Sequence, residues 1–399
     1  MKLAFWRQAQ TNFAPNTSIP CQIGVPVSCG STINEHLSSM SLVGNLGNMV
    51  HRMAMIQMLD FDRTASSQIN LYKLIEYYNS PKTAAKILNR YFDGLVITFS
   101  NIISHGNTEH YVLVELIREL KIPIFALGIG LQESLTKGDS SMLNKAVIEL
   151  VSTLDDKAAL FGVRGHGTKS YLNSIGIKNA EAIGCPSMFA YPKNILSITY
   201  PCGKVNKIIS AGHLTLRQNT INNRFAKLVK GFHGAEAAYV FQSGLQTFEE
   251  LLNVDDIYNH ATQTINAEVI NAYLKQKFNF TSNFYKYYSF CDTSSWRQAY
   301  TSYDVYAGDR IHGGVIMLQI GKPALIIHND ARVRELTSYH GIPSCSLDEF
   351  EKIGCHATLE KYYSKDSLDK FHERYYKALM KFNKYIKQSG LKLLKKFEI

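Results

Sequence analysis

Short apolar segments alternate with amphipathic segments along most of the chain, and this alternation restricts the fold more than any other feature of the sequence. In the first half, apolar runs at 94–99, 122–127 and 158–163 have the length and composition of buried strands. The segments between them, 109–121 and 141–154, carry apolar residues at helical spacing. Strands that are joined through helices form parallel sheets with right-handed crossovers. The pattern therefore predicts an α/β fold.

The alternation stops near residues 192–206, where prolines and a glycine cluster, and then starts again. The second series has predicted strands at 207–211, 237–242, 304–307 and 323–328, and predicted helices at 222–231, 264–277 and 312–320. A chain of 399 residues is long enough for two cores. We predict two α/β domains, residues 1–200 and 201–355, which face each other across a cleft. A basic helical tail is predicted at 356–399.

The tail combines one long predicted helix, 366–389, with a local excess of positive charge. Its apolar stripe at three- and four-residue spacing consists of Phe371, Tyr375, Leu379, Phe382 and Ile386. We expect the stripe to pack against a domain, with Asp366 or Ser367 capping the start and Gly390 ending the helix. Residues 361–399 carry a net charge of +7 of the total of +10. Either a solvated helix face or peripheral contact with an anionic membrane explains this charge.

Composition excludes several classes of protein. A hydrophobic content of 45% with 19% charged residues excludes general disorder. No apolar run approaches the ~20 residues of a membrane-spanning helix, and no secretory signal is recognisable, so we expect a soluble, cytoplasmic protein. Outside the tail the net charge is only about +3, which argues against a nucleic-acid partner. The seven cysteines are scattered, and the sequence predicts neither a disulfide framework nor a metal site.

The strongest candidate for chemistry is the segment GDRIHGG at 308–314, which follows one predicted strand and opens a predicted helix. In open α/β sheets, ligands bind beyond the carboxyl ends of the strands. Arg310 can hold a carboxylate or a phosphate through two parallel hydrogen bonds, and His312 can transfer a proton near neutral pH. The alternative is purely structural, with Asp309 and Arg310 as a buried ion pair and His312 as a helix cap.

Two further strand ends carry an arginine where a ligand would lie. Arg332 stands in HNDARVRE at 328–335, directly after the next predicted strand, and adjacent strands would bring it near the GDRIHGG segment. Arg164 stands in FGVRGHGT at 161–168, at the end of a strand of the first series. Structural alternatives are a surface pair between Arg332 and Glu335, and a turn arginine that binds backbone carbonyls.

Other short patterns give weaker signals. The Gly/Asn turn GNLGN at 44–48 precedes an apolar run, and backbone N–H groups at such a helix start suit an anion or a sugar hydroxyl. Gly128 and Gly130 form a lone GxG, which falls short of the dinucleotide fingerprint, and no P-loop is present. Cys185 has no evident His or Asn partner in the sequence, so we do not expect it to be a nucleophile.

The order of these segments resembles the polysaccharide pyruvyltransferase family. The matching stretches are GNLGN (44–48), ALGIGLQ (126–132), FGVRGHGTKSYL (161–172), IGCPSMF (183–189), DVYAGDRIHGGVIMLQIGKPALII (304–327) and DARVREL (330–336). They span most of the chain. The resemblance implies a fold with two Rossmann-like domains of the GT-B type. It also implies transfer of pyruvate from phosphoenolpyruvate to two hydroxyls of a sugar, which forms a cyclic ketal and releases phosphate.

The resemblance also assigns expected roles to residues. His312 and Arg310 would be catalytic, and the second domain would bind phosphoenolpyruvate. The residues expected to bind phosphoenolpyruvate are Arg164, Arg310, Arg332 and Gly313. The candidate residues for the sugar acceptor are Asn45, Asn48, Gly128 and Gln132. The expected reaction requires no cofactor and no metal. The acceptor would belong to a capsule or exopolysaccharide, as a polymer or as a lipid-linked or nucleotide-linked precursor.

Two other functions fit the same residues. A glycosyltransferase of the same architecture would use the basic residues for the diphosphate of a nucleotide sugar. A non-catalytic carbohydrate-binding protein of the envelope pathway would bind sugar without turnover. The clustered arginines favour an enzyme over this last reading, because a neutral sugar does not require them.

Overall fold

Two mainly parallel β-sheets, formed by successive halves of the chain, organise the structure. A computed structural model describes residues 1–6, 45–104, 110–131, 139–141, 143–199, 205–217, 220–242, 250–251, 253–259, 261–262, 264–290 and 292–397. The predicted α/β class is confirmed, with Rossmann-like alternation of strands and helices in both halves. The predicted domain boundary stays a prediction, because residues 200–204 lie outside the described residues.

In the described part of the first half, the sheet has six parallel strands in the order β2-β1-β3-β4-β5-β6. The strands are β1 (Leu3–Trp6), β2 (Ser67–Ile69), β3 (Gly94–Thr98), β4 (Ile124–Ile129), β5 (Ala158–Val163) and β6 (Glu181–Ala182). The helices are α1 (Gly47–Met58), α2 (Leu71–Tyr78), α3 (Pro81–Tyr91), α4 (His110–Glu119), α5 (Lys145–Lys157), α6 (His166–Ser174) and α7 (Pro192–Leu196). A 3₁₀ turn spans Pro186–Phe189.

The second sheet has eight strands among the described residues, in the order β11-β12-β13-β10-β7-β14-β15-β16, and only its β11-β12-β13 edge is antiparallel. These strands are β7 (Ile208–Ala211), β10 (Ala237–Val240), β11 (Tyr258–Asn259), β12 (Thr264–Ile265), β13 (Phe284–Tyr288), β14 (Val305–Gly308), β15 (Ala324–His328) and β16 (Ser344–Ser346). A separate hairpin joins β8 (Leu216–Arg217) to β9 (Thr220–Ile221). The helices are α8 (Asn223–Gly231), α9 (Ala267–Phe278), α10 (Thr293–Tyr300), α11 (Ile311–Gln319), α12 (Ala331–His340), α13 (Leu347–Ile353), α14 (Cys355–Tyr362) and α15 (Lys365–Gln388). A short 3₁₀ turn, Lys395–Phe397, follows.

The first sheet divides its side chains between two cores. In β1, Leu3 and Phe5 face one side of the sheet and Ala4 and Trp6 face the other, because successive side chains of a strand alternate. One core lies between the first sheet and the helices α2 to α5. The other is continuous with the core of the second sheet and of α15. The two halves of the chain therefore share buried apolar surface, and this surface fixes the strand ends of one half against those of the other.

The predicted strands lie within two residues of the observed ones, whereas two helices are displaced further. The predicted helix at 264–277 is observed as α9, which starts three residues later because β12 occupies its first two positions and the Asn266 side chain caps the helix. The predicted helix at 141–154 is observed as α5, which starts at Lys145 because the Asn144 side chain accepts a hydrogen bond from the Ala146 N–H and caps it. The pattern gave no indication of β1, which is only four residues long and follows the chain start directly. Neither did it indicate β13, whose exposed tyrosine and lysine positions interrupt the apolar run.

The long C-terminal helix α15 is confirmed, but its predicted cap was wrong by two to three residues. Ser364 is the N-cap: its hydroxyl accepts a hydrogen bond from the Ser367 N–H, and the Ser367 hydroxyl accepts one from the Ser364 N–H. Gly390 follows the helix with a φ of 87°, a conformation that favours glycine. The predicted apolar stripe is buried, as expected.

The stripe of α15 packs on residues of the first half of the chain. The Phe382 ring stacks on Phe189 with a centroid separation of 4.3 Å, and the Tyr375 hydroxyl donates a hydrogen bond to the Met188 carbonyl at 2.8 Å. The helix thus connects the end of the second half back to the first. It belongs to the core rather than to a free tail.

The last residues also fold onto the protein. Leu391, Leu393 and Phe397 are buried, and the Leu394 N–H donates to the Met58 carbonyl at the end of α1. The apolar groups of this segment are therefore occupied in the core, and a membrane contact would rest on its exposed lysines. No helix in the described ranges combines the length and the apolar character needed to cross a membrane.

Truncation of Phe382 tests the packing of α15. We expect Phe382→Ala to lower the free energy of unfolding by ~3–5 kcal/mol, because it leaves a cavity under Phe189. Met380 lies on the same helix and is 37% exposed, so Met380→Ala is the matched control and should cost far less. Chemical denaturation of both variants measures the difference. Equal losses in the two variants would contradict the packing described.

Candidate active site

A narrow cavity of about 70 Å³ lies where strand ends of both sheets meet. The turn after β5 supplies Arg164, the turn after β14 supplies Arg310, the first turn of α11 supplies His312, and the start of α12 after β15 supplies Arg332. Asn45 and Asn48, at the start of α1, complete the wall on the other side. The structure thus brings together six of the predicted site residues.

Arg164 is almost completely buried, at 4% exposure. Its guanidinium donates a hydrogen bond to the Asn101 side-chain oxygen at 2.7 Å. Burial lowers its pKa, and the positive charge of Arg332 lowers it further. Gly130 is required beside it, because a Cβ there would lie 2.9 Å from the Arg164 Cδ. The second glycine of the GxG pattern, directly after β4, therefore makes room for this arginine.

Arg310 is held by the backbone of the second sheet rather than by its neighbour in sequence. Its Nε donates to the Gly212 carbonyl at 3.3 Å, and its terminal nitrogen contacts the ring of His213. The buried carboxylate of Asp309 instead pairs with Arg224, which reaches it from α8. The structural alternative of an Asp309–Arg310 pair is therefore replaced by an Asp309–Arg224 pair. Sequence reasoning missed Arg224, because 85 positions separate the partners.

His312 lies in the first turn of α11, with its ring surrounded by buried side chains. The ring stacks on that of His51, with 5.3 Å between centroids, and its Nε2 lies 3.6 Å from the Cys185 sulfur. The His51 Nε2 in turn lies 3.2 Å from the side-chain oxygen of Asn48. The structure thus supplies a histidine neighbour for Cys185 that the sequence does not show. His51 was also missed, because nothing local distinguishes it from a core residue of α1.

Burial and positive charge together keep His312 neutral. Its pKa is lowered to about 3, first by burial and then by Arg164 and Arg332. The ligand-free site is therefore rich in arginine charge and holds an unprotonated imidazole at neutral pH. Such an arrangement favours an anion, whose negative charge offsets the arginines and makes protonation of the imidazole easier.

Arg332 is partly exposed and contacts Asp330 at 3.3 Å. Asp330 also accepts a hydrogen bond from the Val333 N–H at 2.8 Å and so caps α12. Glu335 turns away to the first half of the chain, where it accepts hydrogen bonds from the Thr168 N–H at 2.6 Å and the Thr168 hydroxyl at 2.8 Å. The surface pair between Arg332 and Glu335 is thus replaced by a contact between the two halves.

The sequence profile described as polysaccharide pyruvyl transferase matches residues 45–331. The chain belongs to the polysaccharide pyruvyl transferase family. The match covers well over half of the chain and includes the described site residues Asn45, Asn48, Arg164, Arg310 and His312. Arg332 lies one position beyond the matched range. Comparison with curated protein sequences gives no match.

Comparison with solved structures gives matches of low similarity. An α,α-trehalose 6-phosphate synthase from Burkholderia multivorans is 11% identical, with a TM-score of 0.47 and 98% of each chain covered. A UDP-GlcNAc 2-epimerase from Methanocaldococcus jannaschii is 14% identical, with a TM-score of 0.42, and the alignment covers 96% of this chain and all of that one. Likeness at this level says nothing about the substrate.

Two predicted glycines of the family motifs do not line the cavity. The Gly313 N–H donates to the Arg310 carbonyl, and a Cβ at Gly313 would lie 2.9 Å from the Tyr306 ring, so this glycine allows α11 to pack on Tyr306. Gly128 has a φ of 75°, and a Cβ there would lie 2.9 Å from the Phe99 carbonyl oxygen. Both glycines shape the backbone behind the site. Gln132, the last acceptor candidate, lies outside the described residues.

The wall of the cavity at the start of α1 contains one residue that the sequence did not suggest. The buried Gln242 donates from its side-chain nitrogen to the Asn45 side-chain oxygen at 3.3 Å, and its backbone carbonyl accepts a hydrogen bond from the Leu46 N–H at 2.8 Å. Gln242 thereby fixes the start of α1 against the second sheet. Among the described residues, no group of three or more His, Cys, Asp and Glu side chains could hold a metal ion.

Buried neutral histidines predict a pH dependence of stability for this family member. The pKa values of His312 and His340 are both lowered to about 3, whereas an unfolded histidine titrates near ~6.5. The unfolded chain therefore binds more protons, so stability present above pH ~6.5 is lost as the pH falls. Each histidine should account for about 2 kcal/mol of unfolding free energy between pH 7 and pH 5.

Urea denaturation at pH 7 and pH 5 checks this expectation. His340→Asn should show a smaller loss between the two pH values than the unmodified chain. His356 is exposed on α14, so His356→Asn should keep the full loss. A pH dependence in His340→Asn that matches the unmodified chain would contradict the assignment of a buried neutral His340.

Proposed function

We propose that this polysaccharide pyruvyl transferase family member transfers the pyruvate unit of phosphoenolpyruvate to two hydroxyls of a sugar, forming a cyclic ketal and releasing phosphate. The observation that supports this proposal is the convergence of Arg164, Arg310 and Arg332 with His312 on one cavity. The acceptor belongs to a cell-surface polysaccharide or its precursor. The donor lies on the side of the second sheet, and the acceptor on the side of α1.

The charge of the cavity fits the donor. Phosphoenolpyruvate carries a carboxylate and a phosphate, and guanidinium groups bind both through paired hydrogen bonds. Arg164 and Arg310 are at most 8% exposed, so their charges act in a site from which water is largely excluded. Preorganised charges of this kind stabilise the developing anion of the leaving phosphate without rearrangement during the reaction.

The reaction joins one proton transfer to two additions of a hydroxyl. Protonation of the methylene carbon of phosphoenolpyruvate gives a methyl group and a cationic centre at the neighbouring carbon, which the first sugar hydroxyl attacks. The bond from that carbon to the phosphate oxygen then breaks, and the second hydroxyl closes the ketal. The two sugar hydroxyls release two protons. One replaces the proton consumed at the methylene carbon, and the other leaves with phosphate or solvent. The sequence involves no oxidation or reduction.

In this proposal His312 supplies the first proton. Its imidazole is neutral in the ligand-free site, because burial, Arg164 and Arg332 lower its pKa. Bound phosphoenolpyruvate offsets the arginine charges and adds negative charge beside the ring, so the pKa rises and the imidazole takes up a proton. The imidazolium then protonates the methylene carbon or assists departure of the phosphate. Binding of phosphoenolpyruvate thus converts His312 into the protonated form that acts as the acid.

The acceptor side is uncharged in its described part. Asn45 and Asn48 present side-chain amides at the start of α1, and amides both donate to and accept from sugar hydroxyls. The Asn45 amide is oriented by Gln242 and by the Gly47 N–H, which donates to its side-chain oxygen at 2.8 Å. These residues orient a neutral sugar against the bound donor.

Loss of Arg332 should weaken donor binding. We expect Arg332→Ala to raise the Kd for phosphoenolpyruvate by about tenfold or more, because a charge-assisted hydrogen bond contributes ~1.5–3 kcal/mol. Arg118 is exposed and remote, so Arg118→Ala is the control that removes the same charge. Calorimetry with phosphoenolpyruvate and with UDP- and CMP-sugars measures the effect. Binding of a nucleotide sugar in place of phosphoenolpyruvate would instead indicate a glycosyltransferase.

Loss of His312 should affect turnover more than donor binding. We expect His312→Ala to lower phosphate release from phosphoenolpyruvate by ~10²–10⁴-fold in the presence of a panel of oligosaccharide acceptors. The variant should also bind phosphoenolpyruvate without the proton uptake expected of the unmodified chain, which calorimetry in buffers of different ionisation enthalpy detects. His356→Ala serves as the control. Unchanged phosphate release in His312→Ala would reject the assigned role.

A further inference from the structure

A second and larger cavity lies on the other side of α12 from the candidate active site. Its volume is about 640 Å³, within the ~300–1,000 Å³ that is typical of small-molecule sites. The walls come from the start of α6, from α12 and from α15. It therefore lies at the same contact between the two halves of the chain as the active site.

Four cationic side chains from two helices line this cavity: Arg334, Arg374, Lys377 and Lys381. Lys377 is paired with Glu373 at 2.5 Å, and Lys381 lies 3.8 Å from a Glu181 oxygen. In the described ranges, no carboxylate lies within 4 Å of the Arg334 or the Arg374 guanidinium. The carboxylate that lines the cavity, Glu335, is already bound to Thr168. The Arg374 guanidinium donates a hydrogen bond to the Ser338 carbonyl at 3.4 Å. Two arginines thus line the cavity without a carboxylate in direct contact, in the described part of the chain.

The two cavities are separated by one helix. On α12, Arg332 lines the active site and Arg334 lines the larger cavity, because two residues of a helix differ in direction by ~200°. On the opposite wall, Arg164 lines the active site and His166 the larger cavity. Successive α-carbons are ~3.8 Å apart, so these two residues are separated by at most ~7.6 Å. The path from one cavity to the other around α12 is on the order of the helix diameter, about 10 Å. One or two sugar residues can span this distance.

We propose that the larger cavity binds the diphosphate group of the acceptor substrate, whose sugar then reaches the active site around the start of α12. This inference rests on the proposed function. Guanidinium groups on two different helices suit an extended group with two phosphoryl units better than a single compact anion, because each arginine can take one unit through paired hydrogen bonds. The acceptor is accordingly an activated sugar, in which a diphosphate joins the sugar to a nucleoside or to a lipid.

Inorganic pyrophosphate is the probe for this site. Calorimetry on the full chain should detect its binding, and Arg334→Ala combined with Arg374→Ala should raise the Kd by about tenfold for each arginine. Both side chains are exposed, so the double variant should fold normally. The charge-matched control combines Arg118→Ala with Lys370→Ala, two exposed residues that do not line either cavity, and should bind pyrophosphate as the unmodified chain does.

Phosphoenolpyruvate binding keeps this test separate from the proposed function. The double variant should bind phosphoenolpyruvate with unchanged affinity, whereas Arg332→Ala should bind phosphoenolpyruvate more weakly and pyrophosphate with unchanged affinity. Pyrophosphate binding that is lost in Arg332→Ala and retained in the double variant would place the anion in the active site and overturn the inference. So would the absence of any pyrophosphate binding at millimolar concentration. If pyrophosphate binds as expected but phosphoenolpyruvate does not bind, the proposed function is rejected and the diphosphate site is retained.

Two further probes distinguish the source of the diphosphate. UDP represents a nucleotide-linked acceptor, and farnesyl diphosphate in detergent represents a lipid-linked one. Binding of either that depends on Arg334 and Arg374 supports the inference, and the tighter probe identifies the carrier. Equal binding of the two, with the same dependence, means that the diphosphate alone is recognised. Binding of both probes that is unaffected by the double variant would overturn the inference.

Discussion

Three arginines of like charge converge on one small cavity, and much of the surrounding structure serves to hold them there. Mutual repulsion and burial both oppose this arrangement. Each guanidinium is therefore anchored by a neutral or a carboxylate oxygen: Asn101 for Arg164, the Gly212 carbonyl for Arg310 and Asp330 for Arg332. The buried Asp309 carries its own cation, Arg224, and so leaves the charge of the site in excess. The negative charge of the proposed donor would offset this excess.

The parallel sheets explain why these residues meet. Every strand of the first sheet ends at the same edge as its neighbours, and so do β7, β10, β13, β14, β15 and β16 of the second. The shared core and the helix α15 then hold the two edges against each other. Arg164 from one sheet and Arg310 from the other consequently face the same space. The chemistry proposed for the family member depends on this opposition of two strand edges.

The parts of the fold that could be predicted from the sequence are those with a local signal. The elements that the strand and helix periods predicted lie within a few residues of the observed ones, and the rule that parallel strands end at one edge predicted the meeting of Arg310, His312 and Arg332. The contacts that tune the site join residues far apart in sequence, such as Arg224 with Asp309 and Gln242 with Asn45. No local period encodes such contacts. Gly313 shows the converse limit, since a family motif cannot distinguish a glycine that touches substrate from one that lets a helix pack on Tyr306.

Glu335 joins α12 to the start of α6 through Thr168, between the two cavities. Because α12 presents Arg332 to one cavity and Arg334 to the other, a movement of this helix on occupation of one cavity alters the other as well. Thermodynamic linkage requires the effect on affinity to be the same in both directions. The contact of Glu335 with Thr168 would oppose such a displacement, so it would set part of the free energy by which the two cavities are coupled.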